Sequence, residues 1–122
     1  MNPISPGAKV KVLFVCDQNR LRSPTAEAIF RDDPRVEVRS AGCRNDATVA
    51  VTAESLQWAD LIFVMERSQR NLIRTRFEEI YQRKRIICLY IEDVYDYMDP
   101  MLIRLLTERV EPHLASSSPD AF

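Results

Sequence analysis

The chain contains a single histidine, His113, in 122 residues. It falls near the C-terminus, in a stretch that reads as a frayed tail. A Cys-His or Ser-His pair therefore has no histidine to draw on in the body of the chain. Zinc sites built on histidine are excluded on the same ground, and neither a metal nor a cofactor is expected. Three cysteines without regular spacing do not make a disulfide framework. No apolar run is long enough to span a bilayer, and the N-terminus lacks the charged-then-apolar order of a secretory signal. With 17 basic residues against 18 acidic ones, charge of neither sign is in excess, which argues against nucleic acid or a membrane surface as the main partner. These absences describe a reduced, cytoplasmic protein. No repeat or linker divides it, and its length suits one domain with its own core.

What is present alternates between two periods. Residues 1–8, with two prolines and a glycine, read as a flexible leader ahead of a single domain over 9–111. Lys9 to Cys16 is a first strand, apolar enough to be buried on both faces. Ser23 to Arg31 is predicted as a helix with Ser23 as N-cap and Pro24 in the first turn, stopped by Asp32-Asp33-Pro34. Val36 to Arg39 is a short strand, left through a Ser40-Ala41-Gly42 turn. Thr52 to Trp58 is a short helix with Thr52 as N-cap, and Leu61 to Met65 a third, wholly apolar strand. Ser68 to Arg83 reads as one long helix with Leu72, Ile73, Phe77 and Ile80 on a stripe. Arg85 to Ile91 is a fourth strand. Asp99-Pro100 opens a last helix carrying Leu102, Leu105, Leu106 and Val110, and residues 112–122 read as a disordered tail. Strands alternating with helices imply an α/β fold of three layers, a four-stranded parallel sheet with right-handed crossovers and helices on both faces; the order expected for it is the doubly wound 2-1-3-4. Ligands of such sheets collect beyond the carboxyl ends of the strands, where Cys16, Ser40, Glu66 and the segment after Ile91 fall.

The most informative segment is the end of the first strand. An apolar run stops at Cys16; Asp17, Gln18, Asn19, Arg20 and Leu21 intervene before Arg22 and Ser23-Pro24. A short loop between a strand and a helix N-terminus turns backbone N–H groups into a concavity, where the helix dipole adds positive potential. The thiolate of a cysteine is its nucleophilic form, and such a loop favours it. Arg22 can fork two hydrogen bonds onto a phosphate-like dianion. Cys-x5-Arg-Ser at a strand-to-helix junction thus points to covalent phosphoryl transfer through Cys16. A buried, inert cysteine and a solvated arginine would each be commonplace alone, but not at this spacing.

The run Val-Cys-x-x-Asn-x-x-Arg-Ser-Pro-x-Ala-Glu, Val15 through Glu27, resembles the signature of the low-molecular-weight protein tyrosine phosphatases, and more closely a short bacterial branch of that family. The resemblance continues through Arg39-Ser40-Ala41-Gly42, through Trp58 to Glu66 and through Tyr95 to Pro100. It implies a cytoplasmic phosphomonoester hydrolase that works through a phosphocysteine, needs no cofactor, and acts on a phosphorylated protein or a small phosphate ester. It assigns Cys16 as nucleophile, Arg22 and the backbone of Asp17 through Arg22 as phosphate cradle, and Ser23 as the hydroxyl assisting the thiolate. It also assigns Asn19 as a loop brace that tolerates left-handed backbone, tied to Ser40. The leaving group needs a proton, so a carboxylic acid is expected above the pocket. Asp93 ranks first and Asp99 second, because Asp99-Pro100 is also what a helix start demands; Asp96 ranks third.

The chain departs from the family pattern at several loop positions. Gln18 stands where glycine is common, and Leu21 where many members carry a second loop cysteine, so no disulfide within the loop can shield Cys16. Asp17 and Arg20 stand where apolar side chains usually flank a phenyl ring, and Asp17 would oppose a bound dianion. Weak activity on phosphotyrosine mimics, or another substrate, is expected, with Tyr95 and Tyr97 as alternative aromatic walls. Two other readings compete: a non-catalytic phosphate-binding or phosphotransfer module, and a thiol-dependent arsenate reductase relaying oxidation from Cys16 to Cys43 and Cys88.

Overall fold

Strand β1 (Val10–Cys16) sends alternate side chains to opposite faces of a sheet, and both faces are covered. A computed structural model describes residues 9–117, so the leader expected over residues 1–8 lies outside the described residues. Val12, Phe14 and Cys16 join one apolar cluster, while Leu13 and Val15 join another. This double burial explains why β1 lacks polar alternation. Parallel pairing places β1 between β2 (Val36–Gly42) and β3 (Leu61–Val64), with β4 (Arg85–Cys88) outside β3, in the order β2-β1-β3-β4.

The helices complete three layers. The first cluster takes Ala26 and Phe30 from α1 (Arg22–Phe30), and Leu102, Leu106, Val110 and Leu114 from α5 (Pro100–Ser117). Phe14 stacks between Phe30 and Phe63, with ring centroids 5.8 and 5.4 Å away. The second cluster takes Leu56 from α2 (Ala53–Trp58), Ile73 from α3 (Arg67–Arg76) and Ile80 from α4 (Glu78–Arg83). The chain therefore winds to one face after β1 and to the other after β3. The ends of these adjacent strands form the switch point at which doubly wound sheets bind ligands.

Several boundaries differ from the sequence expectation. The predicted single helix over 68–83 is two, because Phe77 leaves helical angles (φ −133°, ψ 51°) while its ring stays on the second cluster. No glycine or proline marks the break. Strand β2 does not turn at Ser40 but pairs through Cys16↔Gly42, and β4 stops at Cys88. Leu89 and Ile91 still donate to the carbonyls of Val64 and Met65 at 2.8 Å, with Tyr90 between them at φ 55°. The expected tail from Pro112 instead continues α5 to Ser117. Pro112 removes one helical hydrogen bond, at a cost of about 3 kcal/mol in a helix interior. Offsetting it, Leu114 extends the buried Leu102-Leu106-Val110 stripe, worth about 1.5–3 kcal/mol. Glu111 also accepts from Arg35 at 2.5 Å and 2.9 Å. His113 is correspondingly not in a frayed tail: its ring lies 5.7 Å from that of Phe63, edge to face.

Candidate active site

The loop from Cys16 to Leu21 is shaped from behind. The carbonyls of Cys16, Asp17 and Gln18 accept from the backbone N–H groups of Cys43, Arg44 and Thr48 at 2.9, 2.9 and 3.0 Å. In a trans peptide the N–H points opposite to the C=O. Fixing three carbonyls against residues 43–48 therefore turns the N–H groups of Asp17, Gln18 and Asn19 the other way, toward the sulfur side of the loop. Asn19 N–H lies 3.2 Å from Cys16 Sγ, as this orientation requires. Gly42 makes the close approach possible: a Cβ there would meet Asp17 O at 2.7 Å and Asn19 N at 2.8 Å.

A buried polar chain supports the sulfur. Cys16 Sγ and Ser23 Oγ are 2.9 Å apart, and either can donate. Asn19 Nδ2 donates both to Ser23 Oγ and to Ser40 Oγ, each at 2.9 Å, and Ser40 Oγ donates in turn to Glu27 Oε1. Asn19 reaches both serines because its backbone sits at φ 55°, in the left-handed region that asparagine tolerates. Helix α1 begins at Arg22, and its N-cap, Leu21, makes no side-chain capping bond. Ser23 is thus not the N-cap that the sequence predicts; its hydroxyl is used on Cys16 instead.

Arg22 is 1 % exposed and held by one nitrogen. Its Nη1 donates to Glu66 Oε1 at 2.6 Å and to the Ile91 carbonyl at 2.8 Å. Nη2 is 3.7 Å from Asp17 Oδ2, and Nε is 3.6 Å from Asp93 Oδ1. These longer contacts leave Nε and Nη2 as the pair able to grip an anion. The depression at this point is lined by Cys16, Gln18, Arg20, Leu21, Arg22 and Asp93.

Other expected residues fall outside that lining. The Asp17 carboxylate is drawn aside by Gln69, whose Nε2 donates to Oδ1 at 2.9 Å. Asp99 caps α5, accepting from Met101 N–H at 2.8 Å, and its own N–H donates to the Asp96 carbonyl at 3.1 Å. Tyr95 packs against the first apolar cluster and Tyr97 is 52 % exposed; neither lines the depression. Cys43 and Cys88 belong to the second cluster, across the sheet from Cys16. Burial, reinforced by the charges of Asp17 and Cys16, pushes the Cys43 thiol up to about 12.

The Cys-x5-Arg motif gives no role to Glu66 or Gln69, yet the sequence carries a signal for them. Glu66 and Gln69 are spaced as N-cap and N3 of a capping box ahead of the apolar pair Leu72-Ile73. Gln69 Oε1 accepts from the N–H groups of Met65 and Glu66, both at 2.8 Å, while its amide holds Asp17. One capped helix thereby fixes the carboxylate on Arg22 and the carboxylate of the loop together.

Comparison with known proteins agrees with this geometry. Residues 11–56 match the family described as low molecular weight phosphotyrosine protein phosphatase. A protein-arginine-phosphatase of Bacillus subtilis (strain 168) is 26 % identical, the match covering 73 % of this chain and 78 % of that protein. The YwlE arginine phosphatase from Geobacillus stearothermophilus superposes with a TM-score of 0.68 at 23 % identity, covering 88 % of this chain and 94 % of that one. The tyrosine phosphatase Wzb from Escherichia coli K30, solved with phosphate, gives 0.71 at 18 % identity, covering 89 % and 99 %. At these identities the two structures establish the shared fold.

Proposed function

We propose that this chain is a phosphatase of the low molecular weight phosphotyrosine protein phosphatase kind and that it dephosphorylates proteins through a phosphocysteine at Cys16. The observation that carries this reading is the environment of one sulfur atom. Cys16 Sγ lies 3.2 Å from a backbone N–H and 2.9 Å from a serine hydroxyl, at the base of a depression that also holds Arg22. Hydrogen bonds of this kind stabilise negative charge on sulfur, both before attack and when sulfur later leaves.

In the first step Cys16 Sγ attacks phosphorus, and the bond to the leaving atom breaks, an oxygen in phosphotyrosine or a guanidino nitrogen in phosphoarginine. That atom takes a proton from Asp93, the only one of the three candidate acids that lines the depression. In the second step water attacks the phosphocysteine, Asp93 takes the water proton, and the P–S bond breaks with Ser23 bonding the departing sulfur. Nε and Nη2 of Arg22, with the loop N–H groups, stabilise the equatorial oxygens as charge develops.

The competing readings fare less well. A reductase relay needs a second thiol able to attack Cys16; the Cys43 and Cys88 side chains pack with the second apolar cluster while Cys16 packs with the first, and burial pushes the Cys43 thiol up to about 12. A binding-only module needs no acid at the mouth, yet Asp93 is there.

Phosphate release from an aryl phosphate, a phosphotyrosine peptide and a phosphoarginine peptide tests the proposal. Wild type is expected to turn over at least one, trapping a covalent phosphoryl group on Cys16. Cys16→Ser abolishes turnover, and Asp93→Asn lowers kcat by about 10²-fold or more. A silent Asp93→Asn, with Asp99→Asn inactive but folded, would reassign the acid. Phosphate binding without single-turnover release would establish the binding module.

A further inference from the structure

Arg20 is the cation of the catalytic loop that the rest of the protein leaves uncommitted. Arg22 has three carboxylates within 3.7 Å. Arg20 by contrast is exposed and has no hydrogen bond or ion pair among the described residues. It lines two depressions at once: the small one holding Cys16 and Arg22, and a larger adjoining groove. The groove continues away from the nucleophile past Pro24, Thr48 and Val49. Val49 is 54 % exposed there, so part of the floor is apolar.

The groove's other charges are already engaged. Glu27 accepts from Ser40. The Arg39 guanidinium lies 4.1 Å over the Trp58 ring and reaches Glu54 at 3.5 Å. What remains is one free guanidinium between the phosphate cradle and an apolar-floored groove. A planar fork of this kind pairs with a carboxylate through two parallel hydrogen bonds.

We propose that Arg20 is a specificity-determining residue that selects phosphoproteins with an Asp or Glu beside the phosphorylated residue. The carboxylate sits on Arg20, and the next side chain lies along Pro24 and Val49. The inference rests on the phosphatase reading of the Cys16 site. It gives a function to the position where the chain departs from an apolar wall: the wall is replaced by a charge that reads the neighbour of the phosphoresidue.

The test uses matched phosphotyrosine and phosphoarginine peptides that differ only in a flanking Glu, Ala or Lys. Wild type is expected to favour Glu over Ala by about 5- to 10-fold in kcat/KM and to disfavour Lys, with the preference shrinking as salt is raised. Arg20→Ala brings the ratio to about one, and Arg20→Glu inverts it. If Arg20 merely assists phosphate binding, all peptides weaken equally in Arg20→Ala, which overturns the proposal. A flat ratio in wild type overturns it as well. Binding of the same peptides to Cys16→Ser separates this inference from the chemistry. A Glu preference in binding, with no turnover by wild type, overturns the phosphatase reading and upholds the role of Arg20. Turnover without the preference does the reverse, and absence of both overturns both.

Discussion

Nη1 of Arg22 donates to Glu66 Oε1 at 2.6 Å, joining the first residue of α1 to the N-cap of α3 across the switch point of the sheet. The bond fixes which edge of the guanidinium stays available. With Nη1 bound to Glu66 and to the Ile91 carbonyl, Nε and Nη2 keep only the longer contacts to Asp93 and Asp17. A buried arginine needs such a partner, because an uncompensated buried charge is costly.

Glu66→Ala therefore loosens Arg22 and opens the N-terminus of α3 together. Glu66 is itself 38 % exposed, so water replaces part of the lost interaction and the stability cost is about 1–2 kcal/mol. The kcat/KM for an active phosphoester falls about 10-fold or more, because the guanidinium is no longer preorganised. Glu66→Gln, which keeps an oxygen acceptor, recovers part of the loss. Denaturant titration and steady-state kinetics on both variants measure these effects.

Gly42 is set by space rather than by backbone angle. An alanine methyl there pushes on Asp17 O and Asn19 N, both backbone atoms of the catalytic loop. Gly42→Ala is expected to cost about 1–3 kcal/mol of stability and to weaken binding of inorganic phosphate. Calorimetric titration with phosphate reads the second effect, and an unchanged affinity would show that the loop accommodates the methyl.

Cys43 is expected to be chemically silent in the folded protein. Its thiol, raised to about 12 by burial, remains protonated from pH 6 to 9. Peptide mapping after iodoacetamide treatment should find Cys43 unlabelled when native and labelled in guanidinium. Arsenate exposure should give no disulfide to Cys16; trapping one would revive the reductase relay.

The Arg35 bridge between Asp33 and Glu111 carries a pH dependence. Its hydrogen bonds hold both carboxyls below their ordinary values. A depressed carboxyl contributes stability that is present above its unfolded value and is lost as pH falls through the folded one. Arg35 and Glu111 are 34 % and 45 % exposed, and solvent screening limits the bridge to about 1 kcal/mol. Arg35→Ala is expected to be less stable than wild type by that amount at pH 7. The difference should shrink below about pH 4, as paired denaturation curves would show.

The local sequence determined the elements whose signals are local. The apolar runs of β1 and β3 and the capping box of Thr52 and Ser55 on α2 are written in neighbouring residues. So is the Cys16-to-Ser23 loop. The order β2-β1-β3-β4 is the one the family resemblance implies; alternating elements and right-handed crossovers by themselves leave other parallel orders open. What only the tertiary structure decided depends on residues far apart in the chain. Phe77 breaks a helix with no breaker residue, and α5 runs through Pro112 because Leu114 and Glu111 find partners elsewhere. The orientation of Arg22 is set by residues 44 and 69 positions away, and Asp17 is turned aside by Gln69, 52 positions on. A motif states which groups are present at the catalytic loop. Which atoms of those groups remain free is decided by hydrogen bonds to distant partners, because a buried donor or charge takes the nearest acceptor that the fold supplies.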